Sequence, residues 1–386
     1  MVEILEKSKC TGCGACISIC NHNAISPQYD YEGFEYPIVN QKACVDCGLC
    51  QLTCPVINYK YDKRKEYSNA QIGYAARNKD YDQRLISSSG SIFPVLAEYI
   101  LERKGLVVGV AYDDIFNAEH LIIDNKNDLY KLQGSKYLQC KIDNSTFGRI
   151  KDELKQGRLV LYSAMACQIE GLKAFLRKEY DNLYTIDLIC MGIPSAKVWQ
   201  IYLNTFFKNE IIKSINFKEK SLGWDSFCFC VETNKRTFKE RGIKNLYLQS
   251  MFRSWNMRPS CFNCKFKKSE RISDFTIADC WGASKLVPQI NDNKGLSSVI
   301  VHSYKGMALW HKIESRLDFI EIPIDEIAKG NSNLVSNKSQ SGNRNEFYKL
   351  LTNNPQKAFT KLCSVNPTLG SKILTKLKKV LKIIIR

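Results

Sequence analysis

Between residues 71 and 330, short apolar runs alternate with longer stretches whose apolar positions recur at helical spacing. "GLVVGVAY" (105–112), "RLVLYSAMAC" (158–167) and "LYTIDLIC" (183–190) read as strands. "QIEGLKAFLRKEY" and "SAKVWQIYLNTFFK", which follow the second and third, read as helices. That alternation predicts an α/β layer with at least some parallel pairing. Ligands in such sheets gather beyond the carboxyl ends of the strands, where Cys167 and Cys190 fall. Upstream, Ile92 to Leu101 is apolar at helical spacing and follows the small-residue loop Ser87, Ser88, Ser89, Gly90, Ser91. A loop of this kind feeding a helix offers amides that suit a phosphate group. It equally suits a serine N-cap with no ligand at all. In "SFCFCVETN" the alternation puts Cys228 and Cys230 on one strand face, opposite Phe227, Phe229 and Val231, where packing is the expected role.

The pattern breaks in two polar stretches, which divide the chain. Residues 1–60 form one unit, 61–70 ("YDKRKEYSNA") a linker, and 71–330 the main body. Residues 331–345 ("NSNLVSNKSQSGNRN") read as a polar linker, and 346–386 as a helical C-terminal region. The tail "SKILTKLKKVLKIIIR" sets Ile373, Leu374, Leu377, Val380, Leu381 and Ile384 on one helical face, with lysines mostly opposite. Such a helix can lie on an anionic membrane surface, which here would be the inner membrane face. It can also dock to a partner or pack on its own domain.

Composition narrows the setting. Hydrophobic residues at 44% and charged residues at 25% are the balance of an ordinary soluble protein. No apolar run reaches the length that spans a bilayer, and "MVEILEKSKC" lacks the features of a signal peptide, so the cytoplasm is the expected location. In that reducing compartment 17 cysteines are better metal ligands than disulfide partners. Residues 1–60 hold four basic and six acidic side chains; against +17 for the whole chain, the remainder therefore carries +19. A basic body can attract nucleic acid, an anionic membrane or a phosphorylated cofactor. No nucleic-acid-binding signature accompanies the charge, so nucleic acid is not an expected partner.

The cysteines carry the chemistry. "CTGCGACISIC" and "CVDCGLCQLTC" repeat the spacing C-x2-C-x2-C-x3-C, the second followed by Pro55 and the first by Asn21. Three cysteines at two-residue gaps wrap one iron–sulfur cube, and the displaced fourth reaches its neighbour. One 4Fe-4S cluster is then expected on Cys10, Cys13, Cys16 and Cys54, the other on Cys44, Cys47, Cys50 and Cys20. Zinc, the alternative, prefers separated C-x2-C knuckles. Later, Cys261 and Cys264 form such a knuckle, and with Cys167 and Cys190 they add up to the ligand count of a third cluster. Buried structural thiols or a structural zinc fit those four equally well. Cys140 and Cys363 have no visible partner. The four histidines stand in no metal or triad spacing, and neither a Rossmann fingerprint nor a P-loop is present, so no catalytic residue is assigned.

These stretches together resemble the coenzyme F420 hydrogenase/dehydrogenase beta-subunit family, in the bacterial version with a fused N-terminal two-cluster ferredoxin domain. The resemblance covers roughly residues 1–330. It rests on the ferredoxin pair, "SSSGSIFPVLAEYIL", "LQGSKYLQ", "LYSAMACQIEGLKAFL", "IDLICMGIPSAKVW", "RPSCFNCKF", "SDFTIADCWG" and "NKGLSSVIVHSYKG". What it implies is an α+β ferredoxin-like N-terminal domain with two 4Fe-4S clusters, followed by an α/β flavin-binding domain with a mixed sheet. It further implies FAD and a third 4Fe-4S cluster, with Cys167, Cys190, Cys261 and Cys264 at the cluster-bearing positions. Ser88, Ser89, Gly90 and Ser91, and the stretch Gly134, Ser135, Lys136, Tyr137, match flavin-contacting segments.

The implied activity is that of an iron–sulfur flavoprotein oxidoreductase, moving electrons between a ferredoxin-type donor and an organic hydride acceptor that is deazaflavin-like or another small molecule. Its partner would be a ferredoxin or a dehydrogenase subunit. Lys136, Lys265, Lys267, Lys268 and Arg271 would suit a phosphorylated or carboxylated acceptor, or form a solvated face. A non-catalytic relay subunit of a larger hydrogenase, and a redox protein of polysaccharide biosynthesis, are the alternative readings. The chain departs from the family at Ser91, where a glycine is usual, at Met165–Ala166 for threonine-proline, and at Met191 for histidine. It also has Cys280 where the family has no cysteine, which makes Cys280 an alternative ligand.

Overall fold

The structure, a computed structural model, describes residues 5–60, 71–340 and 342–364. The linker expected at 61–70 and the amphipathic tail from residue 371 lie outside the described residues. Each N-terminal cysteine run enters one turn of helix, Ala15–Ser18 and Leu49–Thr53. The residues before these turns, Gly14 and Gly48, have φ of 79° and 71°, a left-handed backbone that a Cβ would strain. Between the two runs, β1 (Ile25–Tyr29) and β2 (Glu35–Val39) form an antiparallel hairpin.

The remaining strands are β3 (Ile72–Asn78), β4 (Leu106–Tyr112), β5 (Ala118–Ile123), β6 (Cys140–Lys141), β7 (Val160–Met165) and β8 (Leu183–Leu188), followed by β9 (Ile212–Glu219), β10 (Cys228–Thr233), β11 (Thr237–Arg241), β12 (Phe275–Asp279), β13 (Ser297–Val301) and β14 (Leu317–Glu321). Nine of them make one mixed sheet in the order β14-β3-β13-β12-β8-β7-β4-β5-β6. Its centre, β4, β7, β8 and β12, is parallel, and the strands that flank it pair antiparallel. Parallel strands are covered on both faces, which is why "LVVGV" and "VLYSA" read as near-continuous apolar runs. Strands β9, β10 and β11 form a separate antiparallel sheet.

Three buried clusters hold these layers. On one face of the large sheet, the helices Ile92–Leu101 and Tyr304–Ile313 bury Leu96, Ile100, Leu309 and Trp310 against Val107, Leu161 and Ile186. On the other face, the helices Thr146–Lys155 and Ala166–Leu176 cover Val108, Val160 and Tyr162. Ala15 and Ile19 of the N-terminal unit join that same cluster, so the unit is packed onto the sheet. The third cluster, around Trp199, Tyr202, Phe217, Phe229 and Tyr247, joins the small sheet to the helix Ala196–Phe206 and is dominated by tilted and edge-on ring pairs.

The stretch 331–345, expected as a polar linker, is mostly exposed where the structure describes it, and two residues anchor it. Leu334 is fully buried, and Arg344 makes a buried ion pair with Glu32 of the N-terminal unit. Among the described residues no helix is long and apolar enough to cross a membrane.

Candidate functional site

The N-terminal cysteines line two cavities, the first of them closed on one side by Cys140 to Asn144 of the main body. The first, of about 210 Å³, is lined by Cys10, Cys13, Cys16 and Cys54; the other, of about 100 Å³, by Cys20, Cys44, Cys47 and Cys50. Each thus gathers three cysteines of one run and the fourth of the other. Cys47 is exposed, so the second cage is the distal one, while the first faces the main body. Among the described residues no three of His, Cys, Asp or Glu converge closely enough to hold a single metal ion. A four-iron cube needs a wider ring, with one thiolate for each corner.

The main sheet assembles a third group. β7 and β8 are parallel neighbours with Met165 opposite Leu188, so Cys167, two residues past one strand, lies beside Cys190, two past the other. The short 3-10 helix Pro259–Asn263 brings in Cys261, whose Sγ accepts from the Ile193 amide at 3.4 Å. Cys264 packs with Cys167 around Cys54, Val56 and Phe266, which sets this group directly against the near N-terminal cage. Gly171, one turn along the helix that starts beside Cys167, lies against Cys13; a Cβ there would stand 3.1 Å from the Cys13 sulfur. Cys280 stands apart, 1% exposed in an apolar cluster with Ala75 and Trp224.

Burial acts on thiols of the near cage and of the third group. It pushes the Cys13 and Cys190 thiols up to about 12 and Cys261 to about 11, and neighbouring thiols add to the rise. Cys167 is raised further, first by burial and then by Cys264, Cys190 and Cys261. Thiols held that high become thiolates only when a metal supplies the compensating charge. The Tyr36 hydroxyl, beside the near cage, is buried without a partner among the described residues.

A larger cavity, about 500 Å³, adjoins these groups. Cys167 and Cys190 line it, and Thr11, Gly12 and Cys140 line both it and the near cage. Ser88, Ser89, Ser91, Gly134, Ser135, Lys136 and Tyr137 line it as well. The two sequence segments meet through a hydrogen bond from Ser135 Oγ to Ser88 Oγ at 2.8 Å. Gly90 is not on the wall. Its amide donates to Ser297 Oγ, and a Cβ there would meet the Ala76 carbonyl at 2.4 Å, so its task is packing. Ser91 holds a φ of 65°, the conformation for which glycine is the usual residue.

Two cations along this wall have roles that composition did not show. Burial lowers Lys136 to about 7, and its ammonium donates to the carbonyls of Lys131 and Gln133. Lys218, buried on the same wall, pairs with Asp279 at 2.9 Å, and the charge of Asp279 helps keep its pKa raised against desolvation. Trp224 donates to the same carboxylate and stacks on Trp281 at 5.3 Å. Strand polarity could have flagged Lys218 and Asp279 only once their strands were known to end at one cavity. The basic residues after the knuckle are largely committed elsewhere: Lys267 to the carbonyls of Met191 and Ser336, Lys265 to that of Val56, and Arg271 to Asp187.

Residues 157–326 match the family model for the C terminus of the coenzyme F420 hydrogenase/dehydrogenase beta subunit, and residues 9–58 match "4Fe-4S dicluster domain". The chain thus carries, over residues 157–326, a domain that matches the C terminus of the coenzyme F420 hydrogenase/dehydrogenase beta subunit, with a 4Fe-4S dicluster domain in front of it. It is 23% identical over 326 residues to the coenzyme F420-dependent sulfite reductase of Methanocaldococcus jannaschii, covering 81% of this chain and 47% of that one. It is 18% identical over 202 residues to a subunit of the F(420)H(2) dehydrogenase of Methanosarcina mazei, covering 50% of this chain and 56% of that one. The chain thus spans about half the length of these curated relatives. A chain of the F420-reducing [NiFe] hydrogenase complex from Methanosarcina barkeri superposes with a TM-score of 0.47 at 16% identity, over 74% of this chain and 94% of that one.

Proposed function

We propose that this chain is an iron–sulfur flavoprotein oxidoreductase that carries electrons between a ferredoxin-type protein and an organic hydride acceptor. Its cofactors would be three 4Fe-4S clusters and FAD. The observation that carries the reading is the adjacency of the near cysteine cage and the third cysteine group to one large cavity, which Cys167 and Cys190 themselves line and which shares Thr11, Gly12 and Cys140 with the near cage. Cys10, Cys13, Cys16 and Cys54 would hold the near cluster, Cys20, Cys44, Cys47 and Cys50 the distal one, and Cys167, Cys190, Cys261 and Cys264 the third.

The cavity suits a flavin. Its volume lies in the range of cofactor sites. On or beside its wall, Gln139 Oε1 and Asn333 Oδ1 are buried acceptors without a partner within the chain. Ser88 and Ser135 tie the loop ahead of the helix Ile92–Leu101 to the segment around Lys136, so its first amides and the lysine face one space. Bound there, a flavin supplies the conversion between single electrons and a hydride. Tyr137 and Trp281 offer rings on the same wall, and the Lys218–Asp279 pair is a buried source or sink for a proton. A redox protein would meet the distal cage, where Val45, Leu52 and Cys47 are exposed. The Methanosarcina mazei relative is named as a subunit, which favours, as a second reading, a relay that reduces no small molecule itself.

Anaerobic purification with iron, sulfide and flavin measured on one sample is the test. About twelve irons and one flavin per chain are expected, since each cube carries four irons. About eight irons without flavin would overturn the flavoprotein reading. A loaded chain that exchanges electrons with ferredoxin yet reduces no deazaflavin or nicotinamide would select the relay.

A further inference from the structure

We propose that Arg258 is a positioning residue that favours the reduced state of the near cluster and ties that cluster mechanically to the third cysteine group. The inference rests on the assignment of a 4Fe-4S cluster to the near cage. Arg258 is fully buried, although it is one of the longest charged side chains. Its backbone belongs to the third group: its amide donates to the Ile193 carbonyl at 2.8 Å, and its carbonyl accepts from the Cys261 amide at 3.0 Å. Its side chain belongs to the near cage. Nε donates to the Cys10 carbonyl at 2.7 Å, and Nη2 donates to the Glu35 carbonyl at 2.8 Å and toward the Cys10 sulfur at 3.6 Å. The guanidinium lies 4.3 Å over the Tyr36 ring.

Among the described residues every one of these contacts goes to a carbonyl, a sulfur or a ring, and none to a carboxylate. Nη1 is buried without a partner, 3.0 Å from where a Cβ on Gly12 would stand, and Gly12 lies in the loop that lines the near cage. A buried cation without an anion is strongly unfavourable. Four thiolates around an iron–sulfur cube leave a net negative charge there, and reduction adds one more. The guanidinium therefore stabilises the reduced cluster most, through its charge and through a hydrogen bond to a ligand sulfur. At the distal cage a charged group of the opposite sign is close: Asp46 Oδ1 stands 3.8 Å from the Cys44 sulfur. Electrons reaching the distal cage are thereby drawn inward. Solvent around the exposed Cys47 also favours a reduced distal cluster, so the share due to Arg258 has to be read from variants.

The full chain is purified anaerobically as wild type, Arg258→Lys and Arg258→Met, and iron content and an EPR-monitored redox titration are recorded for each. Both variants are expected to shift the near-cluster equilibrium toward the oxidised form, roughly tenfold or more for Met and less for Lys, which keeps the charge. The distal-cluster signal is expected to stay in place. An unmoved near-cluster potential in a fully loaded Met variant overturns the proposal. If the Met variant fails to retain the near cluster, the Lys variant decides, and an unmoved potential there overturns it as well. A wild-type chain with no N-terminal clusters would sink the cluster assignment and this inference together, whereas a loaded chain with an unmoved potential sinks this inference alone.

Discussion

The N-terminal cages and the third cysteine group use one ligand type and are built in opposite ways. Cys44, Cys47 and Cys50 stand in one loop that a left-handed Gly48 turns into a helix, so local backbone geometry sets three corners of the distal cage. Cys167, Cys190, Cys261 and Cys264 come from two strand ends and a knuckle, and nothing local relates them. Parallel pairing of β7 with β8 and the bridge between Pro194 and Met257 do that work. The difference teaches that a cage written into spacing survives as a portable unit, whereas a cage written into topology exists only while the sheet does. The near cage lies between these cases, since Cys54 crosses over from the second run and packs against Cys167 and Cys264.

The largest expected effect tests that contrast directly. Cys54→Ala should lose about four irons from the near cage although Cys54 follows the distal run, and Cys190→Ala about four from the third group. Cys280→Ala should lose none and cost about 1–2 kcal/mol, the value of a small buried side chain. Iron analysis and EPR on the three variants decide the matter. A third-cluster signal lost in Cys280→Ala but kept in Cys190→Ala would reverse the assignment.

A medium effect concerns the seam between the two regions. His120 is buried against Tyr162, both its nitrogens lack a partner within the chain, and burial lowers it to about 4. The unfolded chain binds a proton near pH 6.5 that the folded chain refuses until about pH 4, so stability is lost as pH falls through that window. At pH 5 the loss is about 2 kcal/mol relative to pH 7.5. His120→Leu should remove it and flatten the acid limb of denaturant unfolding. An unchanged slope would place His120 in contact with solvent.

The smallest effect probes the loop ahead of the helix Ile92–Leu101. Ser91→Ala keeps the left-handed strain and Ser91→Gly relieves it, while both lose the hydroxyl that Ser87 bonds. The glycine variant should be the more stable by about 1 kcal/mol. Equal unfolding midpoints would mean that the loop relaxes on its own.

Much of this molecule was legible before folding. The crossed pairing of the N-terminal cysteines follows from a two-residue gap and a displaced fourth ligand, and the cavities gather those same sets. The alternation of strand and helix announced a sheet with parallel pairing, and β4, β7, β8 and β12 supply it. Less legible were the residues whose partners are far away in sequence. Arg258 and Arg344 carry no local mark of burial, because buried partners such as the Cys10 carbonyl and Glu32 lie more than two hundred positions upstream.

What the sequence by itself determined is whatever depends on neighbours within a few positions: two cages, the glycines that turn into them, and the periodicities of strand and helix. Short-range geometry is fixed by φ and ψ over a handful of residues, so spacing encodes it. Only the tertiary structure decided that the near cage adjoins the third cysteine group, that Gly90 packs while Ser88 and Ser135 meet across the cavity, and that Cys280 belongs to the core. Those relations are set by strand order and by which faces bury together, and strand order is a property of the whole chain rather than of any segment.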